Sequence, residues 1–166
     1  MLGPRRQNDL LISIELPEKL RPIHADPLQL RQVLLNLMIN AADAMEENEG
    51  DRRLSITAGP AAESPVPLEL PPDRKGINVA DYLYIRVSDN GCGMTAETRR
   101  KLFEPFFTTK PVGKGTGMGL AMVYGTVTNH QGWIQLESAP GKGTTFYLFF
   151  PAGAENAGGA EAQAQA

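Results

Sequence analysis

Residues 113–120 read Gly113-Lys114-Gly115-Thr116-Gly117-Met118-Gly119-Leu120, with a glycine at every second position, and an apolar segment follows. Glycine lets a backbone approach a polyanion closely, and the amides at a helix start direct N–H groups and a positive dipole end toward it. The stretch therefore predicts a phosphate-binding loop that leads into a helix. Its spacing fits neither Gly-x-x-x-x-Gly-Lys-Ser/Thr nor Gly-x-Gly-x-x-Gly, so the other motifs of the chain must identify the ligand.

The composition is that of a soluble globular protein. The chain has 166 residues, of which 42% are hydrophobic and 21% charged, which suits one domain with its own core. A net charge of −3 gives no electrostatic basis for binding DNA or RNA, so we expect no nucleic-acid partner. Cys92 is the one cysteine, which excludes an intrachain disulfide and a cysteine-based metal cluster.

No apolar run reaches the roughly 18 to 20 residues of a membrane span, and the N-terminus lacks the apolar core of a signal peptide. We therefore expect a cytoplasmic domain that makes no membrane contact and is monomeric when isolated, even where its parent protein is anchored in a membrane.

Hydrophobic periodicity divides the chain into strands and helices. Strands are predicted at 10–16, 54–58, 82–88, 133–137 and 144–150, and the last two form a hairpin. Helices are predicted at 26–47, where Asp26 is the cap and Pro27 the first helical residue, after Thr95, and at 119–127. This order predicts an α/β two-layer sandwich, with a mixed, mostly antiparallel sheet covered on one face by helices.

The remaining segments are predicted to be irregular. Five prolines between residues 59 and 81 favour a surface loop over a further strand. Residues 152–166 are too poor in apolar side chains to pack, which predicts a disordered tail or linker. We therefore expect an N-terminal remnant or linker at 1–9, one domain at 10–151, and the tail at 152–166.

The first long helix carries a polar stripe. At about 100° per residue, five polar side chains fall within roughly 80° of its circumference. These are Gln29, Gln32, Asn36, Asn40 and Asp43. The stripe fits a solvated helix face, but asparagine is a weak helix former for that purpose. Two aligned asparagines instead indicate neutral oxygen ligands for a hard cation such as Mg²⁺.

Two further motifs lie between this helix and the glycine-rich loop. Residues 87–94 (VSDNGCGM) place Asp89 at a strand end, where it serves either a simple turn or the recognition of an exocyclic amine, with Gly91 and Gly93 leaving room for a flat ring. In residues 102–110 (LFEPFFTTK), core packing is the alternative for the phenylalanines, and Lys110 can supply a cation to a phosphate.

Taken in order, five motifs resemble the N, G1, F, G2 and G3 boxes of the catalytic ATP-binding domain of sensor histidine kinases. They lie at residues 36–41, 89–94, 103–110, 115–120 and 141–146. The resemblance implies the Bergerat ATP-binding fold, an α/β sandwich shared with DNA gyrase, mismatch-repair ATPases and a class of heat-shock chaperones.

The resemblance also implies roles for individual residues. Asn40 matches the Mg²⁺ ligand, Asn36 matches a polar contact near the phosphates and metal, and Asp89 matches the carboxylate that reads adenine. Thr144 matches a water-linked partner of Asp89, and Lys110 and the amides of residues 115–120 match the triphosphate contacts. The implied ATP site as a whole comprises Asn36, Asn40, Asp43, Asp89, Gly91, Gly93, Met94, Phe103, Lys110, Gly115, Thr116, Gly117, Met118, Gly119, Leu120 and Thr144. Residues 95–117 match the ATP lid.

In hydrolysing members of the wider superfamily, a glutamate that activates water stands at the position of Asn36, and asparagine cannot act as a general base. The resemblance therefore implies transfer of the γ-phosphoryl group to a histidine on a separate dimerisation domain, and from there to a response regulator receiver domain. We expect His24 and His130 to be structural rather than acceptors, so the acceptor lies outside this chain. An anti-sigma-type serine kinase and a non-catalytic nucleotide-sensing module remain the alternatives.

Overall fold

A computed structural model describes residues 10–105, 107 and 119–154, which contain five strands and three helices. In chain order the elements are β1 (Leu10–Glu15), α1 (Pro27–Ala44), β2 (Arg52–Pro60), β3 (Tyr82–Asp89), α2 (Ala96–Lys101), α3 (Gly119–Asn129), β4 (Trp133–Ser138) and β5 (Thr144–Pro151). Short 3-10 turns at Ala61–Glu63, Pro72–Arg74 and Val79–Asp81 interrupt the segment between β2 and β3. The predicted order of elements is confirmed.

The strands form a single sheet in the order β1-β2-β3-β5-β4. β1 runs parallel to β2, and every other neighbouring pair of these strands is antiparallel. This arrangement confirms the predicted fold class, a mixed and mostly antiparallel sheet in an α/β sandwich. β1 is an exposed edge strand, with Ile12 48% and Ile14 61% accessible.

The helices begin where their caps predict. The Asp26 carboxylate accepts hydrogen bonds from the N–H groups of Leu28 (2.9 Å) and Gln29 (3.3 Å), and Pro27 follows as the first helical residue. Thr95 caps α2 by accepting from the N–H of Thr98 at 3.1 Å. These side chains satisfy N–H groups that have no partner within the helix.

α1 and α3 cover one face of the sheet and enclose the main core. Its buried side chains alternate along the strands and recur at helical spacing along α1 and α3, as burial on one face requires. The fully or almost fully buried members include Val33, Leu37, Met45, Leu54, Val123, Val127, Leu148 and Phe150.

The opposite face of the sheet is covered by the segment between β2 and β3, residues 61–81, which we call the strap. Trp133 stacks on Phe149 with ring centroids 4.5 Å apart, and Tyr82 lies 5.2 Å from Trp133. Strap side chains pack against this aromatic cluster, among them Val66, Leu68, Leu70, Ile77 and Val79. The predicted irregular loop, 59–81, starts two residues later than expected because β2 includes Gly59 and Pro60. The prediction also missed the three 3-10 turns and the apolar surface that the strap buries.

The chain stays attached to the domain beyond the expected boundary at residue 151. Ala152 pairs with Ile23, and the Gly153 N–H donates to the Pro22 carbonyl at 2.6 Å. The Arg21 guanidinium donates to the Gly153 carbonyl from Nε and Nη2. Backbone hydrogen bonds, which need no apolar side chain, therefore hold two residues that had been assigned to the tail.

Candidate functional site

The polar stripe of α1 faces the first turn of α3. The Asn36 amide Nδ2 lies 3.5 Å from the Gly119 carbonyl oxygen and 3.6 Å from the Met122 sulfur. A Cβ placed on Gly119 would lie 3.8 Å from the amide nitrogen of Asn40 and 4.0 Å from Cγ of Asn36. Both asparagines therefore border the end of α3 where N–H groups lack helical partners, a position suited to a phosphate group.

These side chains suit a hard cation better than a soft one. The stripe offers neutral amide oxygens, and no three His, Cys, Asp or Glu side chains come together in residues 10–105, 107 and 119–154. Mg²⁺ is commonly held by few protein oxygens, with waters and phosphates as its other ligands. The donor set on α1 therefore fits Mg²⁺ delivered together with a nucleotide. Asp43 lies exposed on the same side of α1, one turn after Asn40.

Asp89 ends β3 with a half-buried carboxylate. Its Oδ1 accepts a hydrogen bond from the Gly91 N–H at 2.8 Å. Burial raises the pKa of this carboxyl above its ordinary value, while hydrogen bonds from the backbone N–H groups of Gly91 and Thr144 oppose the rise. The group is thus a desolvated acceptor with a fixed direction, which suits recognition of an N–H donor on a ligand.

The structure gives a reason for glycine at positions 91 and 93 that the sequence did not predict. A Cβ on Gly91 would lie 2.6 Å from the Ala44 carbonyl oxygen at the end of α1. Gly93 has a φ of +70°, and its Cβ would lie 1.9 Å from the Ala139 carbonyl oxygen. Both missing side chains therefore make room for the protein's own backbone, and the room for a flat ring stays a prediction.

The hydroxyl of Ser138 was missed by the sequence analysis. It accepts from the Met94 N–H at 2.9 Å, donates to the Gly143 carbonyl at 3.0 Å, and lies 2.9 Å from the hydroxyl of buried Thr144. It thereby joins the turn after β3 to the β4–β5 hairpin. A lone serine at a strand end gives no periodic or motif signal, so only the strand register reveals it.

Of the other predicted site residues, some pack partly against the main core and some lie outside the described part of the chain. Phe103 is half-buried against the main core, and its ring centroid lies 5.3 Å from that of Tyr124 on α3. Met94 and Leu120 also pack partly against this core. Lys110, Gly115, Thr116, Gly117 and Met118 fall outside the described residues, as do residues 106 and 108–117 of the segment matched to the ATP lid.

His130 makes contacts within the domain through its ring, and His24 makes one through its backbone. His130 bridges the start of α1 and the end of α3, because its Nε2 accepts from the Asp26 N–H at 3.2 Å and its Nδ1 lies 2.7 Å from the Thr126 carbonyl oxygen. The backbone N–H of His24 donates to the Pro151 carbonyl at 2.8 Å.

Among the described helices, none is long and apolar enough to cross a bilayer.

A comparison with known families identifies this arrangement. The family described as "Histidine kinase-, DNA gyrase B-, and HSP90-like ATPase" matches residues 25–154, which include both helices of the site and four of the five strands. The chain belongs to this ATPase family. The predicted resemblance to the catalytic domain of sensor histidine kinases is confirmed.

The curated relatives of this ATPase domain are sensor kinases. Sensor kinase CckA of Brucella abortus (strain 2308) is 44% identical over 86% of this chain and 14% of that protein. Signal transduction histidine-protein kinase AtoS of Escherichia coli (strain K12) is 37% identical over 82% of this chain and 19% of that protein. The chain thus spans less than a quarter of the length of these relatives.

Solved structures share the fold of the ATPase domain. Full-length ShkA in complex with AMPPNP matches with a TM-score of 0.65 and 27% identity, over 89% of this chain and 27% of that chain. The catalytic domain of histidine kinase ThkA in a nucleotide-free form matches with a TM-score of 0.60 and 26% identity, over 88% of this chain and 81% of that chain.

Proposed function

We propose that this ATPase domain binds Mg·ATP and donates the γ-phosphoryl group to a histidine on a separate dimerisation domain of its parent protein. A response regulator receiver domain is then the next acceptor. One observation carries the proposal. Asn36 and Asn40 of α1 face the first turn of α3, and Asp89 lies on the same side of the sheet.

Each part of the site would bind one part of the nucleotide. Asp89 accepts from the exocyclic amine of adenine, with Met94 and Thr144 beside it. The N–H groups of Gly119 and Leu120 at the start of α3 face the phosphates, and we propose that Lys110 and residues 115–118 complete that contact. Asn40, with Asn36 beside it, would hold Mg²⁺, which neutralises the charge that develops on the phosphates during transfer.

Transfer is favoured over hydrolysis by the chemistry of α1. A hydrolase of this kind needs a general base near the terminal phosphate, and the amide of Asn36 cannot take a proton. The Asn36 side chain instead donates toward Gly119 and accepts from Gln32 Nε2 at 3.3 Å. It therefore fixes the position of neighbouring groups, and an acceptor aligned with the phosphoryl group supplies the nucleophile.

The proposal is tested by mixing the domain with a separately purified dimerisation domain and ATP labelled at the γ-phosphate. We expect acid-labile phosphate on histidine, which is lost when Asn40→Ala replaces the wild-type domain. Acid-stable phosphate on serine would instead indicate a serine kinase of the anti-sigma type. Binding of an ATP analogue without any transfer would indicate a nucleotide-sensing module.

A further inference from the structure

Three polar side chains form a row across the sheet beside the proposed adenine position. In the strand register, Asp89 of β3 pairs with Thr144 of β5, and Thr144 in turn pairs with Ser138 of β4. Directly paired residues of antiparallel strands project on the same face. The row therefore leads from the carboxylate through one hydroxyl to a second.

The hydrogen bonds of Ser138 fix the direction of the proton it shares with Thr144. A serine hydroxyl has one proton and two acceptor lone pairs. The Met94 N–H can only donate and occupies one lone pair, whereas the Gly143 carbonyl can only accept and takes the proton. The remaining partner, the Thr144 hydroxyl at 2.9 Å, must therefore donate to the second lone pair of Ser138.

This direction makes Thr144 an acceptor toward the nucleotide. Its single proton is turned to Ser138, so only lone pairs are available on the side of Asp89. The ionised carboxylate of Asp89 is also an acceptor only. A ligand atom between them is therefore favoured if it is an N–H donor and disfavoured if it is a carbonyl oxygen, because an unpaired acceptor in a desolvated site is costly.

We propose that Ser138 is a positioning residue that sets base specificity, by holding the Thr144 hydroxyl as an acceptor and so favouring 6-aminopurine over 6-oxopurine nucleotides. This inference rests on the proposed function, because it concerns the base of the bound nucleotide. Without Ser138, the Thr144 hydroxyl is free to turn and donate to an oxygen at purine C6.

The test compares dissociation constants for AMPPNP and its guanosine counterpart by isothermal titration calorimetry. We expect the wild-type domain to bind AMPPNP more tightly than the guanosine analogue. Ser138→Ala should reduce the ratio of the two dissociation constants by about five- to tenfold, which corresponds to the free energy of one neutral hydrogen bond. Ser138→Thr retains the hydroxyl and should retain the wild-type ratio.

A double-mutant comparison separates this role from a general loosening of the site. In a Thr144→Val background there is no hydroxyl to turn, so adding Ser138→Ala should leave the ratio unchanged. If Ser138→Ala does not fold, Thr144→Val alone serves as the test, because losing an acceptor should weaken AMPPNP more than the guanosine analogue.

The outcomes distinguish the inference from the proposed function. An unchanged ratio in folded Ser138→Ala that still binds AMPPNP would overturn the inference and leave the proposed function standing. Equal weakening of both analogues in Thr144→Val would do the same. A wild-type domain that binds neither analogue would overturn the proposed function and the inference together.

Discussion

At the scale of single residues, the binding role proposed for Asp89 opposes the contribution of its carboxylate to stability. Its carboxylate is half-buried and accepts from the Gly91 N–H at 2.8 Å. Burial raises its pKa, so folding favours the protonated form. The stabilising contribution of that form is present in acid and is lost as the pH rises through the raised pKa. At neutral pH the ionised group therefore lowers the stability of the fold.

The first prediction is that Asp89→Asn abolishes detectable binding of AMPPNP while the melting temperature at pH 7 stays equal or rises. The asparagine oxygen can still accept from Gly91, but its amide group presents a donor where adenine also donates. Titration calorimetry and thermal unfolding check both parts. Glu137→Gln, a carboxylate change at an exposed position of β4, is the matched control and should alter neither quantity. A large fall in melting temperature would contradict this account of Asp89.

The second prediction concerns pH. As the pH is lowered toward the raised pKa of Asp89, protonation removes an acceptor, so the affinity for AMPPNP should decline earlier than for a carboxyl with an ordinary pKa. Affinity measured from pH 7 downward checks this. The phosphates of AMPPNP also titrate. The affinity of a nucleotide whose base cannot donate a hydrogen bond to Asp89, measured over the same pH range, corrects for their contribution. An affinity that tracks phosphate protonation alone would exclude a role for the carboxylate.

At the scale of elements, the strap stabilises the end of α3 that is remote from the proposed phosphates. Gln131 follows α3 with a φ of +65°, which costs energy for a residue other than glycine. Its carbonyl accepts from Arg74 Nε at 3.2 Å and from the Tyr82 hydroxyl at 2.9 Å, and Arg74 also donates to the Thr128 carbonyl. A cation at a helix C-terminus is favourable as well.

The third prediction is that Arg74→Ala lowers the free energy of unfolding by about 1–2 kcal/mol, because terminal carbonyls of α3 lose a charged donor. Urea denaturation followed by circular dichroism measures the change. Lys75→Ala removes an exposed charge from the next residue of the strap and should change the stability by less than about 0.5 kcal/mol. Equal effects of the two substitutions would show that Arg74 acts only through net charge.

At the scale of the whole molecule, one sheet joins two apolar clusters. The main core lies under α1 and α3, and the aromatic cluster lies under the strap on the opposite face. β5 contributes to both, because Leu148 and Phe150 face the helices while Tyr147 and Phe149 face the strap. Neither cluster can be disrupted without disturbing the strand that they share.

The fourth prediction is that the two clusters unfold together. Trp133 is the single tryptophan and lies in the aromatic cluster, so its fluorescence reports on that face of the sheet. Its urea midpoint should coincide with that of far-ultraviolet circular dichroism, which reports mainly on the helices of the other face. Saturating AMPPNP should shift both midpoints equally. A lower midpoint for the fluorescence would show that the strap and its cluster open independently.

The elements of this fold were readable from the sequence because their signals are local. Asp26-Pro27 and the spacing of apolar residues placed α1 to within three residues of its observed C-terminus, and all five strands were found. The strap was harder, because its prolines conceal the alternation of Val66, Leu68 and Leu70 that marks the buried side. That alternation was the available signal, and it was weak because no strand accompanies it.

The sequence by itself determined the order of elements, the family, and the residue types of the proposed ATP site, since caps, periodicity and motifs depend on neighbouring residues in the chain. The tertiary structure alone decided which residues of distant segments meet. The register of β3, β5 and β4 brings Ser138 beside Thr144 and Thr144 beside Asp89, and the packing of α1 against the turn after β3 explains Gly91. Contacts of this kind depend on how strands align across the sheet, and no local pattern encodes that alignment.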